Sequence, residues 1–240
     1  MKLTAKLKKS IKNNKFVYAL LKKPLQYRFK KKTQWKREAI QQYGLECLVL
    51  VKESFQKHQK EFWLDYGTLL GAIREKDFIG HDLDADVGAF NMLEEEKREL
   101  EGTLLSKGFT KLREFVVNNI IVEQTYIYKD AHIDIFYYYR EGNDKVWCYF
   151  FEDTEEMTTR IKGEKQIVTG WIAKTATSTY LGSTNILFKG EEFPIPSNYR
   201  QYLIENYGPN YMVKDENWDY ANSGSNIKVV SLKNIEAIYE

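Results

Sequence analysis

The sequence predicts an α+β fold: a mixed β-sheet flanked by helices, preceded by a basic, amphipathic helical arm. Three observations point to it. A short apolar run at residues 62–65 leads into a small-residue helical pattern from Gly67-Thr68 to Arg74, and then into a run carrying Asp82, Asp84 and Asp86 at alternate positions. Between residues 109 and 151, β-rich runs alternate with turn signals. Residues 1–38 hold 14 Lys or Arg against one acid, Glu38. A chain of 240 residues suffices for one sizeable core, or a core with a small appendage. The expected division is a basic arm at 1–34 and a single domain at 35–240.

In the arm, Leu3, Leu7, Ile11, Tyr18, Leu21 and Leu25 lie three, four or seven apart with lysines between them. That is an amphipathic helical pattern, expected to be interrupted near Pro24. It suits a helix lying on a membrane surface, and equally one packed on the domain with a solvated lysine face. The balance of +13 in residues 1–38, set against a net charge of +2, leaves −11 on the rest. Such asymmetry suggests a polyanionic surface. Near an anionic bilayer each basic residue contributes about 1 kcal/mol. The expectation is a membrane face rather than nucleic acid.

The longest apolar run near the start, residues 16–21, is shorter than a signal h-region and far short of a membrane span. Cys47 and Cys148 are the only cysteines. Two make no disulfide framework and no Cys-x-x-Cys zinc site, and they read as buried, reduced thiols. A cytoplasmic protein, peripheral at the inner membrane face, follows as the expectation.

Residues 35–58 read as a long helix whose buried stripe is Ala39, Ile40, Tyr43, Cys47, Leu48, Val51 and Phe55. Residues 61–65 are a strand, 68–74 a helix, 75–81 a loop and 84–90 a second strand. Asn91 is placed to cap a helix reaching Lys107, with Glu94, Glu95 and Glu96 in its first turn, and Gly108 ends it. Strands follow at 109–117 and 120–128 around Asn118-Asn119, at 131–139, and at 145–151 after a hairpin signal at 141–144. Residues 152–183 give no firm assignment. A strand pair around Lys189-Gly190 comes next, then a helix at 198–206 capped by Ser197 and stopped at Tyr207-Gly208-Pro209. The stretch to Ser225 is loop-like, and 226–240 forms a final strand or helix.

The chemistry gathers between Leu64 and Ala89. In a strand, residues two apart share a face, so Asp84 and Asp86 sit side by side. Adjacent anions repel unless a cation lies between them. Oxygen-rich sites of this kind suit Mg²⁺, or Mn²⁺ in its place. Gly67 and Thr68 open a helix whose N-terminus attracts phosphate, and glycine lets a ligand approach the backbone. Together these parts suit a nucleotide or its pyrophosphate. Asp134 lies in an apolar strand, on the face of His132 and Phe136, and an acid there needs a partner. The metal held by Asp84 and Asp86 is the one expected.

Tyr66-Gly67-Thr68 followed by Asp84-Ala85-Asp86-Val87 resembles the signature of the polymerase-beta-type nucleotidyltransferase superfamily. More narrowly, GTLLGAIR at 67–74 and DFIGHDLDADVG at 77–88 resemble the LicD/fukutin family. Gly80 and His81 stand where that pattern has Pro and Trp, and Leu83 replaces one Asp while pointing away from the other acids. The resemblance implies a nucleotidyltransferase-like sheet and a third carboxylate on a neighbouring strand, the place of Asp134. It also implies transfer of a phosphorylated alcohol (phosphocholine, or glycerol or ribitol phosphate) from a CDP-alcohol donor to a glycan or lipid-linked sugar acceptor.

On this reading Asp84, Asp86 and Asp134 are the metal-binding, catalytic acids, and Asp134 can accept the acceptor's proton. Gly67, Thr68, Arg74, His81 and Asp82 touch substrate, with Arg74 and Lys76 opposite the diphosphate. Trp218 and Tyr220 offer faces for stacking on an alcohol or sugar, although core packing suits them as well. A Ca²⁺ loop starting at Asp82 is disfavoured, since Val87 and Leu93 occupy the positions that need Gly and Glu. An Asp-x-Asp glycosyltransferase needs no Gly-Thr helix ahead of its acids. A nucleotidyltransferase releasing pyrophosphate, and a catalytically silent binding module, remain as alternatives.

Overall fold

The computed structural model describes residues 15–215 and 226–240. The arm's pattern at residues 1–14, together with Trp218 and Tyr220, lies outside them. Helix α1, Lys15–Lys57, runs unbroken through Pro24, where an interruption was expected, and across residues 34–35. A proline removes one N–H donor and leaves the hydrogen bonds of the turns beyond it in place. The predicted stripe is the buried one except at Tyr43, which is half-buried: Ile40, Cys47, Leu48, Val51 and Phe55 have no exposed surface, and Ala39 has 5%.

Strand β1 (Phe62–Leu64) and β2 (Ala85–Phe90) pair antiparallel, with Trp63 opposite Gly88. The indole fills the space over Gly88, where a Cβ would lie 2.4 Å from the ring. Helix α2, Tyr66–Arg74, joins these strands and starts two residues earlier than the sequence suggested. Helix α3 spans Glu94–Ser106. Its cap is Leu93 rather than Asn91, because the Glu96 carboxylate reaches back to accept from Leu93 N at 2.9 Å. Gly108 (φ 92°) follows it.

Strands β3 (Thr110–Val117), β4 (Ile120–Tyr128), β5 (Ala131–Glu141) and β6 (Lys145–Glu152) form a meander close to the predicted one. Asn118 and Asn119 both take positive φ in its first turn, as a type I′ hairpin requires. The unassigned stretch folds as β7 (Thr158–Lys162), β8 (Lys165–Thr169) and β9 (Ile172–Thr179). A hairpin, β10 (Ser183–Phe188) and β11 (Glu191–Pro196), precedes helix α4, Tyr199–Tyr207. Asn198 holds the N-cap position, and the Ser197 hydroxyl instead donates to Leu181 O. The C-terminal stretch contains two strands, β12 (Ile227–Val230) and β13 (Ile235–Tyr239).

Eleven of these strands form one sheet. It is antiparallel except where β2 runs parallel to β5, with Asp86 opposite Asp134. The chain between β2 and β5 supplies the crossover that a parallel pair needs: α3 and the β3–β4 hairpin. β5 is therefore central, with β4 on one edge and β2, then β6, on the other. Its Ile133 and Ile135 are fully buried, and α3 covers that face near Tyr137, with Lys97 Nζ 4.8 Å from the ring centroid. The buried Lys97 donates to Ile121 O and to Glu94, and Arg98 forms a two-pronged ion pair with Glu114 of β3. No described helix is long and apolar enough to cross a membrane.

Candidate active site

The site begins at the junction of β1, α2 and β2. Asp65 caps α2 and accepts from Tyr66 N at 2.9 Å. Its fully buried carboxylate also accepts from Tyr138 of β5 at 2.6 Å and Tyr202 of α4 at 2.9 Å. Burial pushes this carboxyl up to about 6, while the three donors pull it back. Tyr66 opens the helix at φ 37°, a region that costs a non-glycine residue roughly 1–3 kcal/mol. Its side chain is held on every side: the hydroxyl lies 3.1 Å from Cys148 Sγ and 3.0 Å from the Tyr138 hydroxyl, and the ring stands edge-on to Phe136 and Phe150. Cys47 and Cys148 are free and buried, and burial holds both thiols protonated.

Gly67 turns its open side toward the acids. A Cβ there would lie 2.6 Å from Asp82 Oδ2 and 3.4 Å from Asp86 Oδ2. The Thr68 hydroxyl accepts from Asp86 N at 2.8 Å and so ties the first turn of α2 to β2. Its structural task is to hold strand and helix together.

The sheet register then sets a row of polar side chains across four strands. Asp86 of β2 faces Asp134 of β5, Asp134 faces Thr125 of β4, and Thr125 faces Arg113 of β3. Register partners share a face, so Asp86 and Asp134, 48 positions apart in sequence, are neighbours on one surface. Asp84 precedes Ala85 on the same strand edge. Each carboxylate bears on the next. Burial and the Asp134 charge raise Asp84 to about 6, against the opposing charges of Lys36 and Arg113. Burial, then Asp84, Asp134 and Asp82, hold Asp86 well above the usual carboxylate range. Asp82 is pushed up to about 7 by burial and by Asp84, with Arg74 opposing. Asp134 is 8% exposed, and its Oδ1 has no hydrogen-bond partner.

Other expected residues stand further from this row. Arg74 acts on Asp82 only through its charge. Its guanidinium donates to Glu75 Oε1 at 2.8 Å and to Tyr211 O at 3.2 Å. His81 is exposed, with Nε2 4.0 Å from Asp82 Oδ1, and Lys76 is exposed as well. Tyr207, at the end of α4, lies in the fields of Asp86 and Asp82, which together with burial raise its phenol.

Sequence reading missed three participants. Arg113 donates to Glu123 at 2.9 Å and to Thr125 Oγ1 at 3.1 Å. Glu123, almost fully buried, is raised to about 7 by burial and by Asp134 despite that arginine. Lys36 of α1 lies 3.5 Å from His132 Nδ1 and within the fields of Asp84 and Asp134. The available signal was Lys111 and Arg113 at alternate positions of β3 and a lone Glu123 within the largely apolar run of β4. Lys36 had none, since nothing in its own helix distinguishes it from the lysines before it.

Residues 59–198, more than half of the chain, match the model of the LicD/FKTN/FKRP family, nucleotidyltransferase domain. The chain belongs to the LicD/FKTN/FKRP family. The matched region contains α2, β2 and β5, and with them Gly67, Asp84, Asp86 and Asp134. Two curated relatives are similar over 195 residues at 25% identity: ribitol-5-phosphate transferase FKTN of Macaca fascicularis and of Homo sapiens. The similarity covers 79% of this chain and 38% of each relative, so the chain spans about two-fifths of the length of the curated relatives it matches.

Proposed function

We propose that this protein transfers a phosphorylated alcohol from a CDP-alcohol to a sugar hydroxyl of a glycan precursor, releasing CMP. The observation that carries the proposal is the pairing of Asp86 with Asp134 beside the open side of Gly67, within a chain of this family. Ribitol phosphate is the first alcohol to test, because the curated relatives are named as ribitol-5-phosphate transferases.

The carboxylates fit a divalent cation by their chemistry. They are oxygen donors only, burial and the neighbouring acids raise Asp84 and Asp86, and Asp134 Oδ1 is buried without a hydrogen-bond partner. No group of three or more His, Cys, Asp or Glu side chains among the described residues is drawn in tightly enough to enclose an ion. Asp84, Asp86 and Asp134 would therefore turn their carboxyls toward one another to hold Mg²⁺ or Mn²⁺. A bound divalent ion supplies neutralisation of the donor's diphosphate and polarisation of its phosphoryl oxygens.

The chain's own residues do the remainder. The N-terminus of α2 receives phosphate oxygens over Gly67. The acceptor hydroxyl oxygen bonds to the phosphorus that carries the alcohol, the bond from that phosphorus to the CMP oxygen breaks, and the hydroxyl proton passes to Asp134. Positioning and charge neutralisation carry most of such a rate. The basic arm brings the protein to an anionic membrane face where a lipid-linked acceptor resides.

The test is product analysis with CDP-ribitol, CDP-glycerol and CDP-choline in turn, each with Mg²⁺ or Mn²⁺ and a glycan acceptor. CMP release that needs the acceptor supports the proposal. Pyrophosphate release from CTP, with no CMP from any CDP-alcohol, would assign the chain to nucleotidyl transfer, a reading favoured by the description of the matched domain.

A further inference from the structure

We infer that Lys36 is a phosphate-binding residue of this site, its ammonium receiving the diphosphate of a nucleoside-diphosphate donor on the side opposite the Gly67 turn. The inference rests on the donor reading above and adds a residue from α1, outside the family-matched region.

Three observations support it. The first is position. Ala39 and Ile40 anchor α1 in the core, and Lys36 stands one turn earlier, half-buried. Its Nζ is 3.5 Å from Nδ1 of His132, which precedes Asp134 by two positions on the same face of β5. The second is charge. Lys36 is a principal positive charge opposing Asp84 and is itself acted on by Asp84 and Asp134, yet it makes no ion pair within 4.0 Å among the described residues. The third is the engagement of the other cations. Arg113 is bound by Glu123 and Thr125, and Arg74 by Glu75 and Tyr211 O.

Lys36 is thus a cation facing the acids with donor capacity to spare, since an ammonium has three N–H groups. Burial, with Lys32 and Arg113, lowers the ammonium's pKa against the pull of both aspartates, and the neutral His132 ring beside it offers no anionic partner. A diphosphate lying along the carboxylates would supply that partner, completing its hydrogen bonds with acceptor oxygens.

Calorimetric titration of CDP and of cytidine, with Mg²⁺ present, into the wild-type protein, Lys36→Gln and Lys36→Arg tests this. A charge-assisted hydrogen bond contributes enough that Lys36→Gln should weaken CDP binding about tenfold or more, leave cytidine binding unchanged, and be largely rescued by Lys36→Arg. Inorganic pyrophosphate should follow CDP. Equal CDP affinity in wild type and Lys36→Gln overturns the inference. So does a parallel loss of CDP and cytidine binding, which would make Lys36 a support for the fold, as a fall in melting temperature would independently reveal. A wild-type protein that binds neither CDP nor pyrophosphate overturns the donor reading itself, and the inference with it.

Discussion

Asp65 has no exposed surface and accepts three hydrogen bonds, from one backbone N–H and two tyrosine hydroxyls. Removing its carboxylate strips a helix cap, at about 0.5–2 kcal/mol, and takes from Tyr138 and Tyr202 their charged acceptor, leaving only neighbouring phenol oxygens, at about 1–3 kcal/mol for each hydroxyl. Asp65→Ala should therefore lose roughly 3 kcal/mol or more of stability. Urea unfolding measures it, and a loss under 1 kcal/mol would show that the network is replaceable. Gly67→Ala tests a different property. A methyl group there meets the free end of Asp82 rather than backbone, so the fold should survive with a melting temperature close to wild type. Donor binding should fall by at least tenfold, since the methyl occupies the approach to the helix N-terminus. Unchanged donor affinity would remove Gly67 from the binding surface.

At the scale of elements, the parallel pairing of β2 with β5 places like charges face to face, and that arrangement opposes folding when no cation is bound. Burial raises Asp84 to about 6 and Asp82 to about 7, against an ordinary value near 3.8. Both groups are protonated in the folded and unfolded chain below about pH 4, so neither penalises folding there. Between pH 4 and 7 the unfolded chain releases these protons first, and stability is lost as the pH rises. In chelator, Asp84→Asn should consequently melt above wild type at pH 8, by roughly 4 °C if 1–2 kcal/mol of repulsion is relieved, and the difference should shrink toward pH 5. A difference that does not change with pH would contradict the repulsion. Adding Mg²⁺ should raise the melting temperature of wild type at pH 8 and raise that of Asp86→Asn much less. Equal shifts would remove Asp86 from the ion's ligands.

Across the whole molecule, charge is divided between a basic N-terminal stretch and an acidic remainder. Lys30, Lys31 and Lys32 are exposed on α1, the helix that also carries Lys36 to the acids. If the arm meets an anionic bilayer, replacing these three lysines with glutamine should weaken sedimentation with phosphatidylserine vesicles by about 1 kcal/mol per residue. High salt should do the same to wild type. Turnover of a soluble acceptor should be unaffected. Binding that ignores both the substitutions and the salt would dissociate α1 from membrane recruitment.

By itself the sequence determined much of what depends on neighbours along the chain, although the caps at Leu93 and Asn198 and the unbroken helix through Pro24 departed from their local signals. Period-two alternation, the Asn118-Asn119 turn and the buried stripe of α1 are local signals, and each appears where the residues put it. So does the order of a Gly-Thr helix and an alternating run of acids, which was enough to indicate the family. Residues 152–183 were illegible because β7 is exposed throughout and β9 is built largely from Thr, Ser, Ala and Lys rather than large apolar residues, so β8 and β9 take their form from pairing with β13 and β6. The apolar run around Asp134 already pointed to a third acid, and only tertiary structure decided which other charged residues join it. Register put Asp134 opposite Asp86 and set Arg113 and Glu123 on the same surface, and packing of α1 on the sheet brought Lys36 to it. A charge reveals its function through what it faces across space, and spacing along the chain carries no record of that.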